Sequence, residues 1–325
     1  MAFFLFVFGA WFGLSLAPVH PGKATKQRVE IAYGTNTARI ARLLRRRGLL
    51  RSELAFRLWA RLTGSERAVK AGVYVLAPDM SVPRILALLR RGMEETMRVT
   101  VPEGATLHQI AAILAAHGIA ETDVFLTQAR DPALMAEVAP EARGSLEGFL
   151  FPDTYYFSPA AGAEGAIRMM ATRFQEIFTP SMRARAQALG HSVREIVILA
   201  SLVEGEAKRA EERPLIAAVF YTRLRRGMPL QSCATVQYAL GKHKERLLYR
   251  DLQVASPYNT YLHPGLPPGP IGAPGLASLQ AALYPAEVDY LYFVARPDGS
   301  HVFSSTYAEH LRAQKAISRG QAVGR

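Results

Sequence analysis

Apolar residues recur in three short strand–helix patterns in the first 120 residues. Val29 and Ile31 alternate with polar neighbours, and Gly34 supplies a turn. Ile40, Ala41, Leu43 and Leu44 then follow at helical spacing up to Gly48. The order returns 70 residues on, as Val99, Val101, Gly104, Ile110, Ala111, Ile113, Leu114 and Gly118. Between these units, residues 72–76 and 82–92 predict a third strand and helix. Residues 119–145 read as helical and connecting segments. The spacing predicts an amphipathic helix over 165–189, interrupted near Pro180, and helices over 193–209 and 214–226. The density of Pro and Gly in 255–275 excludes a helix there. Residues 290–294 predict a buried strand, with Val302 and Phe303 as hairpin partner across Asp298 and Gly299. The fold class expected is α+β.

Composition changes this picture at the N-terminus. Residues 3–19 carry no charge and hold five Phe and one Trp. Such a segment is just long enough to span a hydrocarbon core, and Ser15-Leu16-Ala17 also loosely fits a signal-peptide cleavage site. An uncleaved anchor over 1–22 is the favoured reading. Of the formal net charge of +12, residues 1–100 carry +11, from 17 basic and 6 acidic residues. Positive charge beside an apolar segment suits anionic head groups, and it suits solvated helix faces equally. It does not accompany the later, more distinctive motifs, so a nucleic-acid enzyme is disfavoured. One cysteine among 325 residues excludes a disulfide framework.

Candidate chemistry concentrates after residue 195. Residues 196–203 are almost continuously apolar and predict a buried helix that ends in Glu204, Gly205 and Glu206. At about 100° per residue the two glutamates project on opposite sides and cannot share a role. A carboxyl group at a buried helix end can be kept protonated by desolvation and so act as an acid. The plainer reading pairs it with Arg209 or Arg213. No competing chemistry is stronger. There is no HExxH and no phosphate loop, His301 and His310 lack a third ligand, and Ser201 lacks a G-x-S-x-G frame. Neither a metal nor a cofactor is expected.

The segment 146–155 (LEGFLFPDTY) resembles the LEGYLFPDTY block of the endolytic murein transglycosylase, or YceG-like, family. Residues 200–206 (ASLVEGE) are similar to its ASIVEKE block. Glu212-Arg213, 219–224, 227–231, 256–261, 265–271, Pro274-Gly275, 290–295 and His301 continue the match in order, from about residue 28 to 315. The departure is at Ser232-Cys233-Ala234-Thr235, where members commonly read T/S-D-P-T.

The resemblance implies an N-terminal membrane anchor, a LysM-like region over 28–130 and a catalytic domain over 146–320, the latter two outside the cytoplasm. It implies a lyase that cuts peptidoglycan glycan strands internally between N-acetylmuramic acid and N-acetylglucosamine, leaving 1,6-anhydro ends. Glu206 maps onto the family's catalytic acid, and Glu204 onto a supporting residue. Glu147, Gln231, Tyr258 and Asn259 are candidate sugar contacts, with loop scaffolding as the alternative. Glycan strands, membrane lipids and peptidoglycan synthases are the implied partners, with no nucleic acid. Lys23, Lys26 and Arg28 conflict with this placement, since basic flanks favour the cytoplasmic side; a basic leader upstream would remove the conflict. A water-consuming muramidase and a non-enzymatic wall-binding scaffold remain the rival functions.

Overall fold

The computed structural model describes residues 2–22, 25–32, 34–91, 96–158, 160–242, 244 and 247–320, without the side chains of 2–6, 28 and 67. Lys23 and Gly92, which the sequence placed after the apolar run and at a helix end, lie outside the described residues. The first half of the chain gives α1 (Ala2–Leu16), β1 (Gln27–Ile31), α2 (Thr37–Arg46), α3 (Glu53–Leu62), β2 (Gly72–Leu76), α4 (Val82–Arg91), β3 (Met97–Thr100), α5 (Leu107–Ala116), α6 (Thr122–Gln128) and α7 (Pro132–Val138). The second half gives β4 (Thr154–Phe157), α8 (Gly162–Ile177), α9 (Pro180–Ala188), α10 (Val193–Glu206), α11 (Arg213–Arg225), α12 (Cys233–Leu240), α13 (Leu276–Leu283), β5 (Tyr292–Ala295), β6 (His301–Ser304) and α14 (Tyr307–Ser318). The fold is mixed α+β, with two-stranded sheets only among the described residues.

The chain divides into two units. The first comprises 1–99, 113–121 and 154–166; the second comprises 100–112, 122–153 and 167–325. In the first unit β1 and β2 pair antiparallel, with Val29 opposite Tyr74. Alternate residues Val29, Ile31, Tyr74 and Leu76 point inward and are buried. They meet Ile40 and Leu44 of α2, Phe56 of α3, and Ile85 and Leu89 of α4 in one core. Asn36 and Ser52 cap α2 and α3 by accepting from Arg39 N and Ala55 N at 2.9 and 3.2 Å. Helix α1 packs its Phe12 ring 6.2 Å from Trp59, and Arg51 donates to the Pro18 carbonyl at 2.8 Å. Among the described residues no single helix is long and apolar enough to cross a membrane.

The second unit is built on α10. A capping box of Ser192 and Glu195 starts the helix, and every residue from Ile196 to Val203 is buried, as an all-round apolar helix requires. Helices α9, α11, α12 and α13 surround it. The Pro- and Gly-rich segment forms an extended strap over α10, where Ile271 N donates to Ser201 Oγ at 3.1 Å. The strap pairs with residues 104 and 105: Gly104 N donates to Ala273 O at 2.7 Å and Ala273 N to Ala105 O at 2.9 Å. Glycine is required at 148, where φ is +80° and a Cβ would stand 2.5 Å from Pro270 Cβ. The hairpin of β5 and β6 forms across Asp298 and Gly299 as predicted, with Phe293 opposite Phe303, but the strand is half-buried rather than buried, with only Leu291 just before it fully covered.

Candidate active site

Helix α10 ends at Glu206, and the two glutamates leave it on opposite sides. Glu204 is a scaffold residue. Its Oε1 accepts from Arg213 at 3.1 Å and its Oε2 from Gly275 N at 2.9 Å, with side chains only 8% and 14% exposed in the ion pair. Arg213 also donates to Ser278 Oγ at 3.0 Å, so the pair ties α10 to the strap and α13. Glu103 sits beside them. Burial first, and then the charge of Glu204, push its carboxyl above the ordinary carboxylate range, while Arg213 opposes this.

Glu206 has a different environment. Neither arginine of the plainer sequence reading reaches it: Arg213 pairs with Glu204, and Arg209 pairs with Asp298 at 2.9 Å. Its Oε1 accepts from Ser232 Oγ and, at 3.1 Å, from Ala234 N in the first turn of α12. No donor among the described residues reaches Oε2, and the residue is half-buried. Gly205 permits this approach, because a Cβ there would lie 2.6 Å from Ala234 Cβ. Ser232 is itself buried and fixed: its N donates to Thr260 Oγ1 at 3.0 Å and its carbonyl accepts from Thr235 Oγ1 at 2.7 Å. One oxygen of Glu206 is thus held and the other is available, as a proton donor requires. Cys233 is the exposed neighbour on the same turn. Its Sγ lies 3.2 Å from Tyr261 Oη, and burial of the sulfur, then the charge of Glu206, push the thiol up.

The four other sequence candidates divide by exposure. Gln231 is exposed, next to Ser232, at φ +53°, the one positive φ outside glycine among the described residues. Tyr258 is half-buried, with its ring 4.9 Å from that of Tyr238. Asn259 is fully buried, and its amide is spent inside its own loop. It donates to Leu252 O and Val254 O at 2.9 and 3.0 Å and accepts from Tyr261 N at 3.0 Å. Glu147 is 4% exposed. Its two oxygens accept from Leu107 N at 3.0 and 3.3 Å, closing the N-terminus of α5, and Oε2 also accepts from Tyr238 Oη at 3.1 Å. Burial outweighs these hydrogen bonds and lifts its carboxyl to about 7.

Sequence reasoning missed Ser232, Thr260 and Arg223. Ser232 carried a signal, since it opens the tetrapeptide that departs from the family pattern. Arg223 carried one only as part of the matching block 219–224; its place late in a helix gave no sign of the burial that the structure shows.

A model of the YceG-like family matches residues 29–316. The chain belongs to the YceG-like family. This YceG-like chain is 36% identical over 315 residues to a Bacillus subtilis protein named endolytic murein transglycosylase, covering 92% of this chain and 87% of that one. A Streptococcus pneumoniae protein of the same name is 32% identical over 340 residues, covering 94% of this chain and 61% of its own greater length. The crystal structure of a yceG-like protein from Listeria monocytogenes superposes with a TM-score of 0.63 at 34% identity, over 89% of this chain and 99% of that one.

Proposed function

We propose that the chain is an endolytic murein transglycosylase: a lyase that cuts peptidoglycan glycan strands internally, between N-acetylmuramic acid and N-acetylglucosamine. Membership of the YceG-like family supports the activity, and the half-held carboxyl of Glu206 carries its assignment as the acid. Most glycosidases need two carboxylates, one as acid and one as base or nucleophile. A lytic transglycosylase needs one. Glu206 Oε2 gives its proton to the glycosidic oxygen as the bond to the muramoyl C1 breaks. Glu206 Oε2 then takes the proton of the muramoyl C6 hydroxyl as the C6 oxygen bonds to C1. No water is consumed, the product ends in a 1,6-anhydro ring, and Glu206 regains its proton.

Gln231 and Tyr258 are the sugar contacts in this reading, because both have surface to offer. Glu147 and Asn259 shape the walls instead, since their polar atoms are committed inside the fold. The apolar residues 3–19 attach the chain to the cytoplasmic membrane, with the residues that follow them outside the cytoplasm. Residues 28–130 serve as the LysM-like glycan-binding region, and a peptidoglycan synthase supplies the strands.

The test is digestion of uncrosslinked glycan strands by the wild type and Glu206→Gln, with products resolved by mass spectrometry. Anhydro ends that vanish in the variant are expected. Reducing ends would make the enzyme a hydrolase, and undiminished cleavage by the variant would remove Glu206 as the acid.

A further inference from the structure

Arg223 on α11 is 6% exposed, yet no carboxylate pairs with it among the described residues. An unpaired buried cation is expensive unless its donors are satisfied. Two of its three nitrogens donate to carbonyl oxygens: Nε to Leu291 O at 2.7 Å, and one terminal nitrogen to Pro229 O, Leu230 O and Gln231 Oε1 at 3.0, 3.1 and 3.1 Å. The guanidinium lies 5.0 Å from the Tyr292 ring centroid, whose face offers further compensation. Three of these acceptors belong to consecutive residues of one turn, and that turn leads directly to Ser232.

The turn does not hold its shape for free. Gln231 has φ +53°, a conformation that disfavours any side chain with a Cβ. Arg223 grips the turn from one side, and Thr260 grips it from the other by accepting from Gln231 N at 3.1 Å. The next residue then aims its hydroxyl at Glu206 Oε1, and Ala234 N–H follows. We propose that Arg223 is a positioning residue for the catalytic acid: it locks Gln231 in the left-handed conformation that points Ser232 and Ala234 at Glu206. The inference rests on Glu206 being the acid.

The test uses the full chain with glycan strands as substrate. Thermal melting establishes that each variant is folded, and kcat and KM are measured separately. Arg223→Lys keeps the charge and loses the fork, so kcat falls about tenfold with KM unchanged. Glycine adopts positive φ at no steric cost, so the same change made on a Gln231→Gly background lowers kcat less than about threefold. Equal losses on both backgrounds, no loss at all, or a loss confined to KM overturns the proposal. Should Arg223→Lys not fold, Gln231→Val and Gln231→Gly carry the test. Both lack the amide, but only valine resists positive φ, so its kcat falls about tenfold below that of the glycine variant. Equal kcat for the pair overturns the proposal. Glu206→Gln is run alongside: its survival as an active enzyme sinks the acid assignment, whereas an inactive Glu206→Gln with an unaffected Arg223→Lys sinks only the positioning role.

Discussion

Glu147 makes stability depend on pH in a direction opposite to that of ordinary carboxylates. The residue is 4% exposed, and burial lifts its carboxyl from the usual 4.5 to about 7, against the pull of Leu107 N–H, Tyr238 O–H and Arg130. The folded protein therefore holds this proton more tightly than the unfolded chain does. Below about pH 4.5 both states are protonated and the group contributes no penalty. Between pH 4.5 and 7 the unfolded chain releases the proton first, and stability falls. Above pH 7 the penalty is complete, at about 3 kcal/mol. Glu147→Gln keeps the shape and an acceptor for Leu107 N–H but does not titrate. Relative to the wild type, the variant should gain about 3 kcal/mol between pH 4 and pH 8. Urea unfolding of both proteins at several pH values measures this difference, in which the other titrating groups cancel. A wild-type-to-variant difference that stays flat across the range refutes the argument.

The two α10 glutamates should separate cleanly. Glu204→Ala strands the half-buried Arg213 and lowers stability by about 3 kcal/mol, whereas Glu206→Gln abolishes activity with little change in melting temperature. Ser232→Ala removes one of the two donors on Glu206 Oε1 and should lower kcat about tenfold with KM unchanged, in steady-state assays on glycan strands. Ala234→Pro removes the other donor at a helix position that tolerates proline, and should also lower kcat while the protein remains folded by circular dichroism. Gly148→Ala places a methyl group against Pro270 and Val197 at positive φ, and should lower stability by about 3 kcal/mol or more in urea unfolding.

Periodicity made most of the elements legible because burial imposes it. Helix α10 was readable from its uninterrupted apolar run, and the break between α8 and α9 from Pro180. The opposed directions of Glu204 and Glu206 followed from helical geometry alone. Their partners did not, since they come from 9 to 71 residues away and depend on how the strap and α12 close over α10. The polar residues of the punctuated segments read as ligand contacts because amides and acids in such loops suit sugars. Asn259 shows why that inference is weak: an irregular loop has backbone groups to satisfy, and a buried amide satisfies three of them at once. Spacing offers Arg213 as a partner for Glu206, and only the packing of the strap and α10 gives it to Glu204.

Glu147 and Glu206 make the same kind of contact and differ in what is left over. Each carboxyl accepts a backbone N–H at the N-terminus of a helix, Glu147 from α5 and Glu206 from α12, where the helix dipole favours an acceptor. Glu147 has both oxygens engaged and is almost wholly buried, so it closes a helix and presents no free oxygen to a ligand. Glu206 has one oxygen engaged and stands half exposed. The departure from the family's frequent Asp-Pro pair bears on the second case. Proline at 234 would have no N–H to give, and an aspartate at 233 would bring a second anion to this turn. The chain instead has a neutral thiol at 233 and an extra donor at 234. The orientation of Glu206 therefore does not depend on the missing aspartate. It depends on Ser232, on the first turn of α12, and on the arginine-clamped turn that delivers both.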